Sequence, residues 1–408
     1  MTRHSTIWAF AAVLLASTLP AVASSESVVY SFKYVGDGFM PESGVVLGKN
    51  GALYGVTPFG GAAGRGAVYE VKRTATGAWT EKLIYSFKGG TTDGGVPFGR
   101  LAFDAATGVL YGTTKSGGVN DCGTVFKLTP TAVGGWTETV LYAFKGNKDG
   151  AVPIGGVTIG PGGVLYGTTY TAGVGSKGTV FKLAPPTATV KYWSESIIAA
   201  FKGGTDASTP NGAVVVDAKG NLYGTTIGGG TDGQGTVYRV SPPAAGTTSW
   251  KTKILYSFKK TGNDGTQPQA ELILDPAGAL YGTTFFGGGT TGGPGVGTVF
   301  KVAPATGDVW KETVIYRFKG GADSGGPQGG LLRDAAGALY GTTGGTVFKL
   351  VKPTTGTTWS ETVLHHFGPK PDGSASLSTP IKGADGALYG TTLSGGANGV
   401  GTVFRVVP

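Results

Sequence analysis

Hydrophobic positions along this chain gather in short runs of strand length, each closed by glycine, proline or aspartate. Such punctuated runs predict strands, because an amphipathic helix needs apolar positions sustained over three turns or more. The runs also recur. Leu-Tyr-Gly begins at Leu53, Leu110, Leu165, Leu222, Leu280, Leu339 and Leu388, at spacings of 49 to 59 residues. Gly-Thr-Val-Phe or a close variant follows each one, from Gly66, Gly123, Gly178, Gly235, Gly297, Gly345 and Gly401. Trp79, Trp136, Trp193, Trp250, Trp310 and Trp359 then open a further run.

Each unit therefore predicts four strands, A to D. Strand A is a run such as Glu271-Leu-Ile-Leu-Asp275, apolar enough to be expected buried on both faces. Asp275-Pro-Ala-Gly278 places Asp, Pro and Gly where a type I turn favours them, so A and B should form a hairpin. Strand B is Leu-Tyr-Gly-Thr-Thr, strand C is Gly-Thr-Val-Phe-Lys-Leu, and strand D is the tryptophan run. In strand D, Glu138 and Val140 alternate with Thr137 and Thr139, the pattern of a more exposed edge. Four antiparallel strands in a unit of this length, repeated, predict an all-β, seven-bladed β-propeller. The chain opens on half a D strand, Ser27-Val-Val-Tyr-Ser-Phe32, and stops on a C strand. The expectation is a single domain over residues 24–408, closed into a ring by pairing Val28 to Phe32 with the last blade, Leu377 to Val407.

These residues also carry a resemblance. The segment Leu110-Tyr-Gly-Thr-Thr-Lys-Ser-Gly-Gly-Val-Asn-Asp-Cys-Gly-Thr-Val-Phe-Lys-Leu128 resembles the GloVer tandem repeat of bacterial choice-of-anchor proteins, and the likeness recurs over the whole mature chain. It implies an exported bacterial repeat protein with varied terminal anchors among its relatives, and it brings no established activity. No sorting or membrane segment stands at the C-terminus here, so none is expected to anchor this chain.

Composition narrows the class further. Of 408 residues, 77 are Gly and 22 Pro, and only 14% are charged. Disorder is excluded by the 40% of apolar residues, and collagen by the absence of a three-residue glycine period. Met1 to Ala23 reads as a secretory leader, with Arg3 and His4 ahead of the apolar run Ile7 to Leu15 and Ala21-Val-Ala23 at its end. That predicts a secreted protein, periplasmic or extracellular, not inserted in a membrane after leader cleavage, and monomeric. Cys122 is the single cysteine, so no internal disulfide can form. It is read as a neutral loop residue. The net charge of +9 and a pI near 9.3 suit an anionic polymer, but no arginine-rich aromatic module points to nucleic acid. An anionic or neutral polysaccharide, or a surface protein, is the expected partner.

Strand alternation puts the B–C and D–A loops together on one face. The D–A loops carry Asp37, Asp93, Asp149, Asp206, Asp264, Asp323 and Asp372, six of them followed four residues later by Pro. They read as turn residues that accept bonds from their own backbone, so no metal or cofactor is expected. The B–C loops run 8, 8, 8, 8, 12, 1 and 8 residues. A site in a repeat protein should break the repeat. The long fifth loop, the deleted sixth, and the ending Leu364-His-His-Phe367 of strand D in blade six therefore suggest a notch, with Phe285, Phe286, His366 and Asp372 as candidate ligand-binding residues. Catalytic motifs are missing. His365 and His366 are adjacent on one strand and point to opposite faces, which disfavours a two-histidine metal site. Asp121 and Asp232 are the only acids that the B–C loops offer. The reading is an exported, non-catalytic binding or scaffolding propeller of the bacterial envelope; the alternative is a carbohydrate-active enzyme, a polysaccharide lyase or glycosidase, using the loop-bearing face.

Overall fold

The computed structural model describes residues 25–261, 263–289 and 295–408; the leader read over Met1 to Ala23 and part of the long fifth B–C loop lie outside these residues. Seven antiparallel sheets stand around a common axis, each ordered A-B-C-D from the axis outwards. In blade two these strands are Ala102–Phe103, Leu110–Thr114, Thr124–Pro130 and Trp136–Ala143. In blade seven the outer strand is the first among the described residues: Ser25–Ser31 pairs antiparallel with Thr402–Val407, Val28 opposite Phe404. The ring closes as expected, with Phe32 N donating to Gly401 O at 3.0 Å beyond the paired strand.

The recurring motifs are explained by how neighbouring blades meet. A Cβ on Gly112 of Leu-Tyr-Gly would lie 2.6 Å from Phe126 Cζ of strand C, so only glycine leaves room for that ring. Phe126 in turn receives Phe87 from the end of strand D in blade one, ring centroids 5.0 Å apart and edge to face. The same contact repeats at every blade boundary, including Phe367 on Phe404 at 5.2 Å and Phe32 on Tyr69 at 4.9 Å on either side of the closing strand. The tryptophan that opens strand D packs on the Leu-Tyr-Gly tyrosine of the preceding blade, as Trp136 does on Tyr54. Nearer the axis, a strand B threonine donates to a backbone carbonyl of the next blade. Thr391 Oγ1 reaches Ser43 O at 2.9 Å and so ties the seventh blade to the first. Boundaries between blades are thus built from one repeated set of contacts.

One expectation is corrected. Strand A is only two or three residues long and half-buried in most blades. As the innermost strand it faces the axial channel, so the strands buried on both faces are B and C instead. The alternation read in strand D is present: Thr137 and Thr139 are exposed, while Glu138 and Val140 turn inwards. The A–B turns behave as read, Asp275 Oδ1 accepting from Ala277 N and Ala279 N at 2.9 Å each. No helix among the described residues is long and apolar enough to cross a membrane.

Candidate functional site: the axial mouth

The B–C and D–A loops do share one face, and they are bonded to each other. Gly94–Gly95 of a D–A loop pairs with Ser116–Gly117 of the following B–C loop, and other units repeat the arrangement. The recurring aspartates sit inside these loops. Asp93, 5% exposed, accepts from Tyr85 Oη at 2.9 Å, Lys88 N at 2.7 Å and Gly94 N at 2.6 Å. Bonds of this kind recur at the other six, although Asp206 accepts from Lys202 N alone. The carboxylates are turn caps, as the sequence suggested.

Past each aspartate the chain reaches the residue before the recurring proline, or before Ser376 in the seventh unit. That residue is left-handed in all seven units: φ is 57° at Met40, 58° at Val96, 62° at Val152, 56° at Thr209, 55° at Gln267, 63° at Gly326 and 57° at Ala375. Six of the seven are not glycine, and a branched residue there is strained. Bonds on both sides hold the conformation. Val96 N donates to Arg65 O at 2.7 Å, and Val96 O accepts from Lys115 N at 3.0 Å. This kink followed by proline delivers the next residue to the axis.

The residues so delivered are Glu42, Phe98, Ile154, Asn211, Gln269, Gln328 and Leu377. With Lys115, Val152, Tyr170 and Ile227 they line a cavity of about 480 Å³ at the centre of the loop face. Every blade contributes to this ring, and the chain varies it strongly while keeping the framework around it. Lys115 Nζ lies 5.3 Å from the centre of the Phe98 ring. Asn211 Nδ2 donates to Gln269 O at 3.0 Å. Burial raises the Glu42 carboxyl above its usual range, and Lys115 partly opposes that.

The cavity narrows into a neck of glycines packed backbone to backbone. A Cβ on Gly212 would come 2.6 Å from Glu271 N. The Arg100–Glu271 ion pair, 2.8 Å between Nη2 and Oε1, bridges blades two and five across the axis. Both residues also border a second cavity of about 470 Å³ on the opposite face. Five other blades put Gly44, Gly156, Ala213, Gly330 or Thr379 at this position, and the small ones leave the space that the two long side chains fill.

None of the four residues of the expected notch lines the axial mouth. Phe285 and Phe286 contact each other, centroids 4.4 Å apart, and Phe286 is exposed. Phe285 lies against Gly326 of the next D–A loop. The sixth B–C loop is a tight turn in which Thr343 N donates to Thr346 O at 2.9 Å. Asp372 is engaged by His365, not by His366: His365 Nε2 stands 3.0 Å from Oδ2, while His366 is exposed. Asp121 is spent on its own loop, Oδ1 accepting from Gly117 N at 2.6 Å, and Asp232 Oδ2 accepts from Lys260 N at 3.0 Å. Cys122 has its thiol raised by burial first and then by Asp149 and Asp121, the reverse of an activated thiolate. Loop length does not point to the mouth; its signal in the sequence is the variable position that follows Pro in six units and Ser376 in the seventh.

The molecule is a closed propeller whose framework repeats and whose axial lining does not. Within that class the chain belongs to the Gloeobacter/Verrucomicrobia repeat family, whose pattern matches residues 16–214 and 191–404. No curated protein matches it. Among solved structures it is similar to the extracellular domain of a candidate hybrid two-component system from B. thetaiotaomicron. The TM-score there is 0.55 at 9% identity, covering 93% of this chain and 40% of that one. It is also similar to a candidate 6-phosphogluconolactonase from Bacteroides uniformis, with a TM-score of 0.52 at 15% identity, covering 85% of this chain and 89% of that one. At such identities the likeness is one of fold.

Proposed function

We propose that the protein is an exported, non-catalytic binding module of the bacterial envelope that takes a glycan in its axial mouth. The observation that carries this reading is the ring of residues after the prolines, varied position by position inside a framework that otherwise repeats. Phe98 and Tyr170 offer aromatic faces for the C–H side of a sugar. Asn211, Gln269 and Gln328 offer amide donors and acceptors for hydroxyl groups, and Glu42 and Lys115 supply one charge of each sign. Polar groups convergent among apolar and aromatic side chains in a concavity are what a small-ligand site uses to fix orientation.

Binding of a panel of neutral and anionic oligosaccharides, measured calorimetrically on the wild type and on Phe98→Ala and Gln269→Ala, tests the proposal. A ligand whose affinity falls at least tenfold in both variants supports it. Affinities unchanged in both place the site elsewhere, and Phe285→Ala with Phe286→Ala then tests the notch on blade six.

A second reading, a polysaccharide lyase or glycosidase, is favoured by one feature: Glu42 is a carboxyl raised by burial in the same cavity as Tyr170. Against its glycosidase form, glycoside hydrolysis ordinarily uses two acids, and Glu271, the acid of the neck, is committed to Arg100. Release of reducing ends or unsaturated sugars by the wild type, and its loss in Glu42→Gln, would establish the enzymatic reading in place of the first.

A further inference from the structure

The boundaries between outer strands share a charged pattern, and two of the seven depart from it, in different ways. At most boundaries the tyrosine near the end of a D strand donates to the D–A aspartate, and a glutamate from the next D strand faces the same carboxylate. Tyr85, Asp93 and Glu138 form one such group. A lysine completes the group wherever the two acids meet in this way: Lys33 faces Glu81, Lys88 faces Glu138, Lys145 faces Glu195, Lys259 faces Glu312 and Lys319 faces Glu361. Between blades three and four, Ala199 and Thr252 replace the tyrosine and the glutamate together, so no acid pair forms.

Between blades six and seven the acid pair remains, Asp372 with Glu26, yet the lysine position is Gly368 and the tyrosine position is His365. Two carboxylates have lost their cation, and at the same boundary a phenol has become an imidazole. The ligand atoms of Glu26, His365 and Asp372 all lie within 4.8 Å of one another. His365 Nε2 is 3.0 Å from Asp372 Oδ2, and Glu26 Oε1 is buried without a hydrogen-bond partner, as the equivalent glutamate oxygens are at the lysine-bearing boundaries. Around a tetrahedral zinc ion, ligand atoms about 2 Å from the metal stand roughly 3.3 Å from each other, close to the 3.0 Å between His365 and Asp372. Gly368 N and Gly373 N already hold the Asp372 carboxylate, donating to Oδ2 at 2.7 Å and to Oδ1 at 2.6 Å, support of the kind that orients a metal ligand.

We propose that Glu26, His365 and Asp372 form a site for one divalent transition-metal ion, of the class that zinc represents, open to water at its remaining position. The ion replaces the missing lysine. It also links blade six to the N-terminal strand that closes the ring, so binding reinforces the closure.

Tag-free protein stripped with chelator and titrated calorimetrically with ZnCl2 at pH 7.5, with thermal melts alongside, tests this. The wild type is expected to take up one zinc per chain at micromolar or lower concentration and to melt several degrees higher with it. H365Y restores the residue that five other boundaries carry, and it should fold, bind no zinc at this site and lose the thermal gain. E26Q should weaken uptake at least tenfold, and His366→Ala should retain it. A wild type that binds no zinc at tenfold excess, or uptake that survives both H365Y and E26Q, overturns the proposal.

Discussion

A glutamate in an outer strand would ordinarily be a solvated residue, yet the alternation of strand D puts Glu138 on the face of Val140. It is pressed between blades, where burial first and Asp93 second push its pKa up to about 7. Glu81, Glu195 and Glu312 are raised to about 7 in the same way. The unfolded chain releases these protons near the ordinary glutamate pKa of 4.5 and the folded chain only near 7, so the protonated acids favour the fold most below 4.5. Their contribution declines as pH rises between those two values. Thermal melts should accordingly show a higher midpoint at pH 5.5 than at pH 7.5. Glu138→Gln, which keeps the shape and removes the charge, should raise the midpoint at pH 7.5 by about 1–2 °C and flatten the slope between the two pH values. Neither the burial nor the neighbouring Asp93 is visible in a strand read alone. The glycine of Leu-Tyr-Gly is the complementary case, since its constancy was legible while its cause, the ring of Phe126, lies on another strand. Gly112→Ala should cost about 1–3 kcal/mol in urea unfolding, the usual range for overpacking.

At the level of strands and loops, nearly all of the architecture could be read from order alone, because each motif marks one strand and the count balances only in a ring. What order could not give was the depth of each strand. Strand A reads as the most apolar run, yet lies along the channel and is half-exposed, because depth in a propeller follows distance from the axis. Nor does the sequence announce that the residue before each proline is left-handed, as Val96 and Val152 are. Only the paired loops on either side impose that conformation, and it is what turns the following side chain towards the axis. The closing strand carries the same aromatic contact as the outer strands that are continuous with the rest of their blades, so it should be as costly to damage. Phe32→Ala and Phe144→Ala, both at fully buried rings, should each lose about 3–5 kcal/mol and differ little in their urea midpoints. A much smaller loss at Phe32 would mean that the first strand is a detachable flap.

For the molecule as a whole, the long-range element is the Arg100–Glu271 pair, which joins two blades that share no boundary. Removing one partner leaves the other uncompensated in the neck, while removing both restores an apolar lining. Arg100→Met alone should therefore destabilise by roughly 1–2 kcal/mol, with Arg100 partly exposed, and Arg100→Met with Glu271→Met by less than that in the same urea titration. This pair was legible only as two charges at a position where the other blades have small residues, and nothing in one dimension said that the two face each other.

The pairing of Ser25–Ser31 with Thr402–Val407 sets a timetable for biosynthesis. At roughly 5–20 residues per second, Ser25–Ser31 waits tens of seconds after its synthesis for its partner Thr402–Val407 to follow. Throughout that interval six blades can assemble, but the nascent polypeptide holds an orphan strand at its front and, at the end, an uncovered edge at its rear. Each is a template for pairing with another chain. Joining the two ends through a short linker and opening the ring between two inner blades would remove the wait, and the permuted protein should refold from denaturant with less aggregation than the natural order.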